Sequence, residues 1–422
     1  MHSVKEIIKK KVAVIGTGSA GIQSLSFFLA WLDGLEFEVV SIHDPSIPIV
    51  GIGESTNPTF ITALEYGTRF NLYDNLEELD ATLKLTTKFE NWREHDFHNP
   101  LINGSAAIHF NTFKLREFAI PRLKKVWREK FKEVVGTVDS MTEHDDKVTM
   151  VIDGEEHNYD FVVDCRGFPK SYEDYSLMPV QTVNHCLVHN VQEDDKEGWK
   201  YTLHRATPDG WMFGVPLTNR KSYGYLFNDT ITTKEEALQN FSKEIGVPVE
   251  ELQNIEYKFN SYRAKQIIGK RIFKNGNRAV FFEPLFANSL HLYDTINRAI
   301  VGYIAYGGSK EGANAVISAE INNVATVIAY MYRDGSIHDT PFWNGIKEPA
   351  QKILEESDAF HDFIHAMRFG DSRNYYRSLS FVFNEKNFKI MDSDTHFGYG
   401  FFDKITLHQL QELRLQIAND GS

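Results

Sequence analysis

The chain has 422 residues, of which 42% are hydrophobic, 13% aromatic and 24% charged, and 45 basic against 58 acidic side chains leave a net charge of −13. This length and balance support a large core in two or three units and exclude a wholly disordered, collagen-like or coiled-coil chain. An acidic surface repels nucleic-acid phosphates and anionic membrane faces, so neither a nucleic acid nor a membrane is an expected partner. Cys165 and Cys186 are too few for a disulfide framework, the first residues do not read as a secretory signal, and no apolar run reaches about 18 residues; together these point to a cytoplasmic protein.

The first expected element is a buried parallel strand at Lys11–Ile15. Gly16, Gly18 and Gly21 follow as GxGxxG, with Ser19 and Ala20 between them, and Ser24–Leu32 continues as a covering helix. Strand, glycine turn and helix together let the backbone approach a pyrophosphate and set its charge against helix N–H groups; glycines alone would be only a tight turn. The next strand, Glu38–Ile42, ends beside Asp44, slightly beyond the usual spacing of about 20 residues for a ribose-binding acid. Asp44 is therefore read either as an adenosine-side contact or as a loop cap. Pro58 suits a first helical turn. Thr112–Val135 reads as an amphipathic surface helix whose basic run is a solvated face. At Phe161–Asp164 another strand ends, placing Asp164 and Gly167 where a ribose hydroxyl and a close backbone passage would need them. His185 to Tyr257 carries short hydrophobic runs separated by turn formers, a sheet in which Trp211 and Phe213, two apart, share a face. A helical stretch follows Gly308, and a last helix is expected from about Thr406.

Several segments together resemble the flavin-dependent halogenases, in particular the tryptophan-halogenase-like branch, over most of the chain from Gly16 to Tyr376. GIGESTNPTF, with Gly53, Glu54, Ser55 and Thr56, is similar to that family's flavin-side loop. ATLKLTTKFENW is similar to the segment bearing its catalytic lysine, and the register selects Lys84. Lys88 lies four residues on, and spacing alone does not separate the two, since both share a face in a helix and in a strand. DGWMFGVPL resembles the WxWxIP signature through Trp211, Phe213, Val215 and Pro216, which would wall the substrate chamber from the flavin. FFEPLFANSLHLY resembles the flavin and halide loop: Glu283 and Pro284 are kept, while Phe286, Ala287, Asn288 and Ser289 replace its acidic, serine, threonine and glycine positions. Backbone N–H groups at Asn288 and Ser289 are the halide candidates, and the family's acid has no local substitute. Phe342, Trp343, Tyr375 and Tyr376, in segments matching the C-terminal part, are chamber-lining candidates.

The resemblance implies an α/β fold: a discontinuous Rossmann-like FAD-binding domain of the flavin monooxygenase type (residues 9–95, 134–170 and 262–325), substrate-side elements including a mixed β-sheet (96–133 and 171–261), and a mainly helical substrate-side and C-terminal region (326–422). It further implies reduced FAD (FADH2) as cofactor, O2 and halide as co-substrates, no metal, and a small electron-rich aromatic substrate. Lys84 would direct a hypohalous oxidant. A single dinucleotide turn leaves the electrons to a separate NAD(P)H-dependent flavin reductase, and a homo-oligomer is compatible with the sequence. The resemblance extends by association to compact viral or cyanophage-encoded members, and such a protein would act in the host cytoplasm. Two other readings stand beside this one: an aromatic monooxygenase that needs no halide, and a catalytically silent flavin-binding protein.

Overall fold

A computed structural model of the chain describes residues 9–51, 55–101, 105–179, 181–195, 198–358 and 360–361. Gly53, Glu54, Tyr375, Tyr376 and the helix expected from Thr406 lie outside the described residues. The strand Lys10–Ile15 occupies the middle of a five-stranded parallel sheet, between Phe161–Asp164 and Phe37–His43, with Ile272–Lys274 and Phe131–Val135 at the two edges. Every pairing in it is parallel. A parallel sheet must bury both faces, and here the strands alternate accordingly. Val12 and Val14 face a layer of helices, whereas Ala13 and Ile15 face an antiparallel three-stranded layer formed by Val138–Glu143, Val148–Ile152 and Glu155–Tyr159.

On the helical side, Ser19–Trp31 starts directly after Gly18, five residues before the expected covering helix, and is packed by Pro58–Thr68, Thr112–Trp127 and Ser289–Tyr306. Asn57 caps the second of these, its side chain accepting from the Phe60 N–H, and Pro58 takes the first helical position as expected. One expected helix divides. The segment predicted helical to Val135 stops at Trp127, where Arg128 adopts φ 42°, and Phe131–Val135 pairs in parallel with Val39–His43 as an edge strand. Its lysine and glutamate side chains sit at the solvent margin, which gives an edge strand the same charged composition as a surface helix.

The second layer is a seven-stranded mixed sheet ordered Ile255–Lys258, His185–Gln192, Arg220–Phe227, Gly210–Pro216, Tyr201–Thr207, Thr86–Glu90 and Phe97–Pro100. Only the pairing of Tyr201–Thr207 with Thr86–Glu90 is parallel. Period-two alternation divides its side chains. Trp211, Phe213, Val215 and Ala206 enter the main core, while Met212, Tyr201 and Leu203 pack under the helix Lys234–Ile245 with Phe241. Two further helices, Lys310–Tyr332 and Pro341–Glu355, complete the described helical part. No helix among the described residues is long and apolar enough to cross a membrane.

Candidate active site

The glycine turn is built for close approach. A Cβ at Gly21 would lie 1.9 Å from the Gly16 carbonyl oxygen, so helix and turn pack against each other only without a side chain there. Gly18 is the opposite case: a Cβ there would meet nothing within 4 Å, and it stands as N-cap of Ser19–Trp31 with no side chain satisfying the first-turn N–H groups. This open helix start, carrying Ser19 and Ala20, leaves backbone N–H groups that could hold an anion such as a dinucleotide's pyrophosphate. Asp164 ends the neighbouring strand, almost fully buried, and accepts from the Arg166 backbone N–H at 3.1 Å, from the Arg166 guanidinium at 2.9 Å and from Arg278 at 3.2 Å. Burial pushes its carboxyl up, but the two arginines outweigh that and hold it below the usual range. Gly167 follows with φ 74° and open space at its Cα. Asp44 behaves as a loop cap: it accepts from the Ser46 N–H and hydroxyl at 2.8 and 2.6 Å and from Thr137 at 2.7 Å.

Lys84 lies on a short strand, Thr82–Lys84, paired antiparallel with Ala107–His109. The segment is extended, and the two lysines that spacing could not separate occupy different surroundings. Lys88 ion-pairs with Glu90 at 3.2 Å. Lys84 is 1% exposed, and its amine donates to the Ser55 hydroxyl at 2.8 Å and the Thr56 carbonyl at 3.0 Å, both neutral acceptors. Ser55 and Thr56 are held in reach because Thr56 brackets Ile108, donating its N–H and hydroxyl to the Ile108 carbonyl while its hydroxyl oxygen accepts the Ile108 N–H. Burial lowers the Lys84 amine from 10.5 to about 7. A lysine in that state is available near neutrality both as a donor and as a free amine.

Beside it runs a continuous aromatic wall. His204 lies two residues along the same strand face from Thr202, with its ring centroid 4.8 Å from Trp211, 5.3 Å from Phe89 and 6.2 Å from Phe286. Trp92 joins Trp211 (6.3 Å), Tyr332 (5.5 Å) and Trp343 (5.3 Å), and the Trp343 indole N–H donates to the Thr207 carbonyl at 2.7 Å. Phe342 packs edge-on to Trp343. Phe213, Val215 and Pro216 are buried with this wall. Phe286 and Ala287 both take left-handed backbone, φ 65° and 55°, and lead into Asn288 and Ser289 at the start of Ser289–Tyr306. The Asn288 side chain donates to the Leu285 carbonyl at 3.1 Å, leaving its Oδ1 buried and unpartnered. Glu283, fully enclosed, accepts from Thr182 and from the Tyr332 hydroxyl at 2.8 Å, and burial pushes its carboxyl up to about 7. Pro284 begins the turn that follows.

The structure thus brings Lys84, Ser55 and Thr56 together, and places Trp211, Phe286, Phe342 and Trp343 in one aromatic assembly. Sequence reasoning did not single out Thr82, His109, Thr202 or His204, which surround Lys84. The alternation in YTLHRAT carried a signal for two of them: Thr202 and His204 are polar residues on the face where Ala206 enters the core.

A family model described as "Tryptophan halogenase" matches residues 11–142 and 105–392. The tryptophan 6-halogenase ThaL of Streptomyces albogriseolus is 21% identical over 86% of this chain and 82% of its own length. The tryptophan 7-halogenase RebH of Lentzea aerocolonigenes is 22% identical over 87% and 85%. Among solved structures, the tryptophan 6-halogenase SttH of Streptomyces toxytricini superposes with a TM-score of 0.75 at 19% identity, covering 97% of this chain and 96% of its own.

Proposed function

The chain belongs to the tryptophan halogenase family, and from that premise we propose that it is an FADH2-dependent halogenase whose Lys84 directs a hypohalous oxidant onto a small, electron-rich aromatic. The observation that carries this reading is the Lys84 amine: buried, paired among the described residues with neutral oxygens, and brought to about 7. Gly16, Gly18, Ser19, Ala20 and Gly21 would hold the FAD diphosphate at the open helix start. Asp164 with Gly167 would serve a ribose, and Ser55, Thr56 and the Glu283–Pro284 turn would serve the ring side. When bound and reduced, FAD supplies the electrons with which O2 and halide become the oxidant; a separate NAD(P)H-dependent flavin reductase would furnish it.

The chain's own residues contribute placement and polarity. Lys84 would either donate a hydrogen bond to the oxidant or take the halogen on its nitrogen. Trp211, Phe213, Val215 and Pro216 form an apolar partition that keeps water from it, and Asn288 and Ser289 are the halide candidates. The test compares chloride, bromide and iodide against a panel of free indoles, phenols and pyrroles, with reduced FAD regenerated by an added reductase, for wild type and Lys84→Ala. Halide-dependent product that Lys84→Ala abolishes while FAD binding persists is the expected result. Oxygenated product without halide would favour a monooxygenase, and near-wild-type halogenation by Lys84→Ala would overturn the role of Lys84.

A further inference from the structure

A chain of hydrogen bonds runs from Lys84 through the core, and its direction is set by its far end. The Pro216 carbonyl can only accept, so the Thr82 hydroxyl donates to it at 2.7 Å. With its single proton committed, Thr82 accepts from His109 Nδ1 at 3.0 Å, which leaves His109 Nε2 without a proton. Nε2 then accepts from the Thr202 hydroxyl at 3.0 Å, Thr202 accepts from Ser55 at 2.8 Å, and Ser55 accepts from the Lys84 amine at 2.8 Å. All five residues are at most 7% exposed. A buried amine is thus joined to a buried, unprotonated imidazole nitrogen through two hydroxyls, each of which can receive one proton and pass on another.

We propose that His109 is the proton acceptor for Lys84, reached through the hydroxyls of Ser55 and Thr202. One N–H bond breaks at Lys84, each hydroxyl exchanges its proton for its neighbour's, and one N–H bond forms at His109 Nε2. The product is a neutral amine and an imidazolium, with every hydrogen bond between them reversed. Burial first, then Lys84 and Lys200, hold His109 in its neutral form at rest, and His204 likewise feels the Lys84 charge. Among the described residues, no carboxylate is a cause of the shifts of Lys84, His109 or His204.

The purpose of the relay rests on the halogenase reading. Once its proton has left, the Lys84 lone pair turns from the Ser55 hydroxyl and attacks the halogen of hypohalous acid: the N–X bond forms, the X–O bond breaks, and the hydroxide released takes the second amine proton to become water. Transfer of the halogen to the arene then exchanges the N–X bond for a C–X bond, with the ring proton ending on nitrogen. Return of the His109 proton along the chain regenerates the lysine ammonium. Neither electrons nor protons are left over.

Thr202→Val removes the bridging hydroxyl at nearly constant volume, and Thr202→Ser restores it. In cofactor-free protein with 13C-labelled lysine and 15N-labelled histidine, the ring nitrogens of the neutral His109 should register the Lys84 ionisation, shifting together with the Lys84 Cε resonance near 7. In Thr202→Val they should no longer do so, and Thr202→Ser should bring the coupling back. Independent shifts in wild type would overturn the relay, whatever the enzyme's activity. With reduced FAD and halide, Thr202→Val should lower halogenation about a hundredfold, and the double variant Thr202→Val, His109→Gln should fall no further, since both act on one path. Wild-type halogenation by Thr202→Val would also overturn it. If wild type makes no halogenated arene while the resonances remain coupled, the halogenase reading fails and the relay stands.

Discussion

Replacing Lys84 by methionine keeps a flexible apolar stem of similar length while removing the amine, and it separates what this residue does for chemistry from what it costs the fold. The folded amine titrates near 7 and the unfolded one near 10.5, so between those values the unfolded chain binds the extra proton and stability rises with pH. Below about 7 the ammonium is present in both states and its burial penalty is complete, about 5 kcal/mol for a fall of this size. Methionine removes that penalty; the Ser55 hydroxyl keeps its bond to Thr202, but the buried Thr56 carbonyl loses its Lys84 donor, at about 1–3 kcal/mol. Lys84→Met should therefore be more stable than wild type by about 2–4 kcal/mol at pH 7 and should become less stable above pH 10.5, where the wild-type amine is neutral and keeps its bonds. Urea unfolding at pH 7 and pH 10 reads this difference, and product assays at pH 7 should show halogenation lost. A variant equally destabilised at both pH values would refute the burial argument, whatever its activity.

Three further perturbations address the rest of the site. Gly21→Ala should disrupt the turn, because its Cβ would fall 1.9 Å from the Gly16 carbonyl oxygen, whereas Gly18→Ala should fold normally and weaken FAD binding alone; fluorescence titration with FAD beside thermal melts distinguishes them. Tyr332→Phe takes one donor from Glu283, which is already raised to about 7 by burial, so it should cost about 1–3 kcal/mol. An acid raised in the folded state destabilises as pH climbs through its folded value, so the loss should be larger at pH 8 than at pH 5, as read from urea midpoints. Phe286→Glu would set a carboxylate beside His204, whose charge state already responds to Lys84, and should raise the Lys84 amine above about 7, measured from its Cε resonance.

What was legible in the sequence divides by range. The glycine turn is decided by residues within one strand–turn–helix unit, so Gly16, Gly18 and Gly21 could be read directly. The surroundings of Lys84 could not, because its partners arrive from far along the chain: Ser55 is 29 residues away, and Thr202 is 147 from Ser55. The pairing of Tyr201–Thr207 with Thr86–Glu90, that of Thr82–Lys84 with Ala107–His109, and the bridge between Ser55 and His109 make them neighbours. Asp44 shows the reverse limit: its position at a strand end fitted two roles, and the local Ser46 together with the distant Thr137 now engages it as a cap. The Phe131–Val135 strand was hidden because charge at a sheet edge and charge on a helix surface have the same composition.

Phe286 stands where the resemblance to the halogenases implies an acid, which bears on the charge of Lys84. A carboxylate near a buried amine would stabilise its charged form and oppose desolvation; among the described residues burial is the one cause moving the Lys84 amine, and it moves it down to about 7. The same substitution extends the wall of Phe89, His204 and Trp211, thickening the apolar medium that makes burial effective. An amine so placed can shed a proton at neutral pH only to a neutral base, and the unprotonated His109 Nε2 at the end of the Ser55–Thr202 chain is one that needs no carboxylate. In the proposed relay the two features act together: burial lets the lysine be neutral, and His109 gives its proton somewhere to go.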